Sequence, residues 1–159
     1  MAIVSMGYTK VLAEKARKKN DGQITIKNNI AITNVAEGSS AQSAQRAIMF
    51  SFSFQTEYSP EVGNITIDGY VVDIQEDAKA KEILMMWNEH NRVDKDITQK
   101  VVAVILDKCN IKALVLSQDV GLPSPIPLPT VKVNTVRKET MTDDTEIEVN
   151  TKQKAPKKK

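Results

Sequence analysis

Apolar residues alternate with polar ones through the first half of the chain, then recur at three- and four-residue spacing in the second. Ile24, Ile26, Ile30 and Ile32 share one parity with Asn28 among them, and Thr25, Lys27, Asn29 and Thr33 take the other. β-Branched residues at alternate positions predict a strand over 24–33 with one face buried and one wet. The small, polar stretch 37–45 reads as a flexible connection. A second strand over 48–58 puts Ile48, Phe50, Phe52, Phe54 and Tyr58 on one face, opposite Ser51, Ser53, Gln55 and Glu57. Pro60 and Gly63 break the chain in a hairpin-like way. Ile65 and Ile67 then resume alternation, with Gly69 placed for a bulge or close approach. Beyond it Tyr70, Val72 and Ile74 carry the apolar character on the other parity, which predicts a bulge or a segment covered on both faces.

The first twenty residues allow two readings. Tyr8 to Lys19 has the Ala, Glu, Lys and Arg content of a polar helix, while Gly7, Tyr8, Thr9 and Val11 suit an edge strand. Lys19-Asn-Asp-Gly22 marks a turn. From Asp77 the period becomes helical. Asp77 is the expected cap of a first helix with Ala80, Ile83, Leu84 and Trp87 on its apolar stripe, ending near Asn91. Asp96, with Gln99 in the capping-box position, is the expected start of a second. Ile97, Val101, Val104, Ile105, Cys109, Leu116 and Val120 form its stripe, widened by Val102, Leu106, Ile111, Leu114 and Val115. Such breadth predicts burial against two surfaces, the sheet and a partner subunit. Val101, Ile105 and Leu116 are the interface candidates.

Gly121 is placed as the residue ending that helix, with Pro123 preventing continuation. Four alternating prolines over 122–129 favour an extended path, leaving Leu122, Ile126 and Leu128 free to dock. The 130–159 tail has too few large apolar residues for a core, although Thr130-Val-Lys-Val could add to a sheet edge; its end is expected to be disordered. The chain therefore divides into a single α+β domain, 1–129, and a Lys-rich tail. Charge sharpens that division: the tail holds 8 Lys and Arg against 5 Asp and Glu, leaving 14 against 15 in the body. Lys152, Lys154, Lys157, Lys158 and Lys159 could contact phosphates of RNA or the ribosome.

Catalytic groupings are sparse. His90 falls at the predicted end of the first helix, where dipole and surface position explain it. Cys109 is the single cysteine, set in an apolar helix as a structural thiol. One His and one Cys provide no His/Cys zinc set, and there is no glycine-rich phosphate loop. Asp73, Glu76 and Asp77 gather at the strand–helix junction, where capping and solubility account for them. No enzyme activity and no cofactor is expected. The lone cysteine, and a start without a basic or continuous apolar segment, lead to the expectation of a cytoplasmic protein without membrane insertion. Phe50, Phe52 and Phe54 could stack on single-stranded nucleic acid, but Ser and Gln flank them, so a core role is favoured.

The order of extended segment, three strands, short helix, long apolar helix and the exit Asp119-Val-Gly-Leu-Pro-Ser-Pro-Ile-Pro-Leu-Pro129 resembles the SecB family of export chaperones and its SecB-like relatives. The resemblance covers 8–129 and is most specific at that exit; the sequence also looks like small uncharacterised proteins of archaea. It implies an antiparallel sheet of about four strands with both helices on one side. It also implies dimers or tetramers formed through the edge strand and long helix, and hydrophobic grooves that hold unfolded or nascent polypeptides without nucleotide. Phe50, Phe52, Phe54, Tyr70, Trp87, Leu122, Ile126 and Leu128 are the groove candidates. Family members that pass clients to the export motor use a strongly acidic surface, which the near-neutral body lacks. Two functions follow as expectations: an ATP-independent holdase, or an RNA- or ribosome-associated accessory protein using the basic tail.

Overall fold

A computed structural model of the protein describes residues 2–17, 22–39 and 45–128. The chain runs β1 (Ala2–Lys15), β2 (Thr25–Glu37), β3 (Gln45–Ser59), β4 (Gly63–Glu76), α1 (Asp77–His90) and α2 (Lys95–Val120). The strands form one antiparallel sheet in the order β1-β4-β3-β2, so the architecture is α+β with a four-stranded open sheet. Residues 1–128 make one compact unit.

The segment with two readings is a strand, and its bulges account for the ambiguity. Register shifts against β4 fall between Ile3 and Ser5 and between Tyr8 and Lys10. Each inserts a residue and reverses the parity that follows. Ile3, Met6, Tyr8, Val11 and Ala13 consequently oppose Asp73, Val71, Gly69, Ile67 and Ile65, all buried on one face of β4. Apolar spacings of three and two imitate a helical period. β2 has the same device between Ile32 and Asn34, and Val35 beyond the bulge returns to the core opposite Phe50. That is why β2 continues to Glu37 rather than ending near 33. The expected flexible connection is thereby shortened, and its residues 40–44 lie outside the described ones.

β3 and β4 pair without a register shift from Gln45–Glu76 to Tyr58–Gly63. The bulge at the level of Gly69 lies in β1, where Thr9 is the extra residue between Tyr8 (opposite Gly69) and Lys10 (opposite Asp68); β4 itself keeps its parity. A β-carbon on Gly69 would stand 2.8 Å from the Phe52 ring and 2.3 Å from the Gly7 carbonyl, so close approach is the reason for glycine. Tyr70, Val72 and Ile74 simply occupy the outer face, half-buried.

The inner face carries the core. Ile48, Phe50, Phe52, Phe54 and Tyr58 of β3 and Ile65, Ile67 and Val71 of β4 cluster with Ala80 and Ile83 of α1 and Ile97, Val101, Ile105, Cys109 and Ala113 of α2. Burial of each large apolar side chain contributes about 1.5–3 kcal/mol against chain entropy. α2 packs over β4, β1 and β3, and α1 over β3, β2 and β4.

The helix ends differ from expectation at their starts. Glu76 precedes α1 without a side-chain cap. Asp77 is instead the first helical residue and pairs with Arg46 and Lys81. Those hydrogen bonds, Lys81 first and Arg46 next, hold its carboxyl below the usual range. Arg46 also reaches Glu37 at 2.6 Å, joining β2, β3 and α1. α2 is capped by Asp94, not Asp96: the Asp94 carboxylate accepts from the Asp96 amide at 3.1 Å. Its C-terminus is as expected. Gly121 is left-handed (φ 68°), its N–H bonds to Gln118 O, and Leu122 N–H bonds to Ser117 O at 2.7 Å. This paired closure satisfies the last carbonyls and fixes the direction in which the chain leaves.

Candidate functional site

Apolar surface stays open along both flanks of the helical layer. On the first flank β1 pairs, among the described residues, with β4 alone, and its other edge presents backbone groups that no described strand pairs. The Tyr8 hydroxyl donates to Lys108 O at 3.4 Å, and Lys15 Nζ donates to Gly121 O at 2.7 Å. The strand between those anchors spans about 23 Å, and the helix between them about 20 Å. α2 therefore runs beside β1 in the same direction. Tyr8 and Val11 of β1 are 42% and 40% exposed; Ile111 and Val115, 66% and 47% exposed, lie on the face of α2 turned away from its buried row Ile105, Cys109, Ala113 and Ser117. Partial burial, then the neighbouring Cys109, raises the Tyr8 phenol above its ordinary pKa.

The second flank is shaped by the segment 121–128, which crosses the sheet as a strap. Its contacts follow the order of the strands: Gly121 O with Lys15 of β1, the Leu122 side chain with Gly63 of β4, Pro123 O with Tyr58 of β3, and Pro125 O with Asn28 of β2. Three strand spacings amount to about 14 Å, and four extended residues span about 13 Å, so the strap crosses nearly at right angles. The Tyr58 hydroxyl donates at 2.9 Å and Asn28 Nδ2 at 3.1 Å. Buried Thr56 donates its hydroxyl to Asn28 Oδ1 at 2.8 Å, which turns the Asn28 amide nitrogen toward the strap. Beside this end of the sheet, Ile26, Ile30 and Ile32 of β2 are only half-buried.

The residues singled out in the sequence are divided by these surfaces. Phe50, Phe52 and Phe54 are 0–1% exposed, so they form core and touch neither client nor nucleic acid. Leu122 is buried in the strap, whereas Ile126 is half-buried and Leu128 is 50% exposed. Tyr70 lies on the outer face over Gly7, and Trp87 is half-buried on α1. Val101 and Ile105 face the chain's own sheet and are shut from any partner; Leu116 is half-buried. The open α2 positions are Ile111 and Val115, which had entered the reading only as breadth of the stripe. Lys152, Lys154, Lys157, Lys158 and Lys159 lie outside the described residues, as does the rest of the tail.

No local pattern in the sequence marks Asn28, Tyr58 and Lys15 as strap contacts. Asn28 alone left a trace, as a polar residue on an apolar parity. Asp73 was misplaced: it is fully buried on the inner face between Ile3 and Ile48 rather than serving capping or solubility. Its Oδ2 accepts from Gln75 Nε2 at 2.5 Å, while Oδ1 has no hydrogen-bond partner among the described residues. Cys109 is buried, which pushes its thiol up to about 11. His90 is exposed in the last turn of α1. Among the described residues no cluster of three or more His, Cys, Asp or Glu is arranged for a metal ion, and no helix is long and apolar enough to cross a membrane.

No family model matches the chain, and no curated protein matches it. Among solved structures it is similar to the SecB-like chaperone Rv1957 of Mycobacterium tuberculosis, solved in complex with a ChAD peptide from the Rv1956 HigA1 antitoxin. The TM-score is 0.44 and the identity 10%, over 84% of this chain and 92% of that one.

Proposed function

We propose that this chain binds non-native polypeptides as an ATP-independent, SecB-like holdase and performs no catalysis. The observation that carries the reading is the apolar surface left open on both flanks of the helical layer. Tyr8 and Val11 line the β1 flank, the inner isoleucines of β2 line the other, and Ile111 and Val115 add exposed apolar positions on the outer face of α2. Capture of an unfolded chain needs apolar area accessible from water and unpaired backbone for strand addition, and it needs no phosphate-binding loop. The β1 edge supplies the backbone groups, and its apolar border suits a second copy of the chain. On this reading the protein is a homo-oligomer joined at β1 and α2, with clients held toward β2.

The test is light scattering of a reduced, aggregating model protein with and without the full chain, in the absence of ATP. Near-stoichiometric suppression is the expected result. Unchanged aggregation at several-fold excess would overturn the reading.

A further inference from the structure

We infer that the seat beneath the strap is a binding site for an extended, apolar, proline-containing segment of another polypeptide, which the chain's own 121–128 occupies in cis. Resting on the polypeptide-binding reading above, the inference assigns that function a regulated site. The carbonyls of Gly121, Pro123 and Pro125, at every second position, accept from Lys15, Tyr58 and Asn28. All three donors are side chains, and none of these contacts uses a backbone N–H of the strap. A proline-alternating chain has carbonyls to offer but lacks N–H groups at its prolines, so donor-only recognition matches it. One built pocket accompanies the row: Leu122 is buried where Gly63 has no side chain.

None of these features depends on the strap belonging to the same molecule. Carbonyls at a two-residue period and one large apolar anchor are available on any extended segment of that composition. The Thr56–Asn28 hydrogen bond sets the Asn28 donor independently of the strap. Cis occupancy raises the concentration against which an outside segment must compete. The strap is consequently a built-in competitor: weakening it from its own side opens the seat, and weakening the donors damages the seat itself.

The experiment uses the full chain and a fluorescein-labelled synthetic peptide Gly-Leu-Pro-Ser-Pro-Ile-Pro-Leu-Pro, read by anisotropy. A control peptide carries Ser at each Leu and Ile. Leu122→Ser is expected to bind the peptide at least about tenfold more tightly than the unaltered chain, the effect of removing a modest competing contact. Ile126→Ser, further along the strap, serves where Leu122→Ser lowers the folded fraction. Adding Tyr58→Phe, or Asn28→Asp, which still accepts from Thr56, is expected to reverse the gain. Equal affinity in the unaltered and strap-weakened chains, or a gain untouched by the donor changes, overturns the inference. A gain accompanied by dimer formation that the peptide does not disperse would assign the seat to a second copy's strap and also overturn it. Peptide tightening without suppression of client aggregation would remove the holdase reading alone. Suppression without tightening would remove the seat alone.

Discussion

Leu122 sets its methyl carbons against the bare Cα of Gly63, where an added β-carbon would stand 2.9 and 3.1 Å from them. The contact joins the exit of α2 to the start of β4, so one leucine links the helical layer to the turn end of the sheet. Its position follows from the Gly121 closure, which directs Leu122 back toward the core. Leu122→Ala should therefore cost about 2–4 kcal/mol, as a truncation in a well-packed site does. Leu128→Ala, half-exposed at the far end of the strap, should stay within about 0.5 kcal/mol. Urea unfolding followed by far-ultraviolet circular dichroism separates the two; equal effects would show that the strap is not anchored at Leu122.

The outer face of α2 gives the opposite balance of stability and association. Ile111 and Val115 are 66% and 47% exposed, so replacing both with Ser should shift the unfolding midpoint little. The same change removes the exposed apolar positions that α2 offers to a second copy of the chain. Light scattering at increasing concentration should show a multimer for the unaltered chain and a monomer for Ile111→Ser/Val115→Ser. A multimer that survives the double change would place self-association elsewhere.

The sheet and helices were legible in the sequence wherever the period stayed constant. β3 and β4 pair without a break, and alternation located β3 and the start of β4; beyond Gly69, buried Asp73 and Gln75 on the inner parity and apolar Tyr70, Val72 and Ile74 on the outer one hid a parity that does not change. β1 and β2 were blurred because a bulge reverses parity, so Ile3 and Met6, Tyr8 and Val11, or Ile32 and Val35, share a face at a spacing of three. The surfaces were less legible than the fold. Six of the candidates, Phe50, Phe52, Phe54, Val101, Ile105 and Leu122, stand out by apolar character, and that same character buries them. The strap's seat depends on Lys15, Asn28 and Tyr58 meeting one segment from three strands, a long-range relationship with no local spacing. Asn28 illustrates the limit: its polarity on an inner face was visible, but its partners Thr56 and Pro125 were not.

Cys109 predicts a pH dependence. Burial raises its thiol from an ordinary value of 9.0 to about 11, so the native state favours the protonated form more than the unfolded chain does. The sign follows: this contribution is complete below about pH 9 and is lost as pH rises toward 11, since only the unfolded thiol ionises readily there. A difference of about two pH units corresponds to about 2–3 kcal/mol. The stability lost between pH 8.5 and 11 should be smaller in Cys109→Ala than in the unaltered chain, by up to that amount. Identical losses would mean that the thiol ionises equally well in both states. Below pH 9, native Cys109 should also react with a thiol reagent far more slowly than the urea-unfolded chain.

Asp73 and Gln75 supply the last test, in which removing polar groups should strengthen the fold. Both are buried on the inner face of β4; one Asp73 oxygen accepts from Gln75 and the other has no partner among the described residues. Leaving a buried polar atom unsatisfied costs about 1–3 kcal/mol, and exchanging both members of such a pair for apolar groups removes that cost. Ile3 and Ile48 directly oppose Asp73 on the neighbouring strands, so the surroundings accept a β-branched residue. Asp73→Val/Gln75→Val should raise stability by about 1–3 kcal/mol. Asp73→Val alone should gain less, because it deprives the Gln75 amide of its acceptor. Thermal unfolding of the two variants at one pH gives the comparison. A double variant less stable than the single one would show that the pair contributes through contacts other than the unsatisfied oxygen.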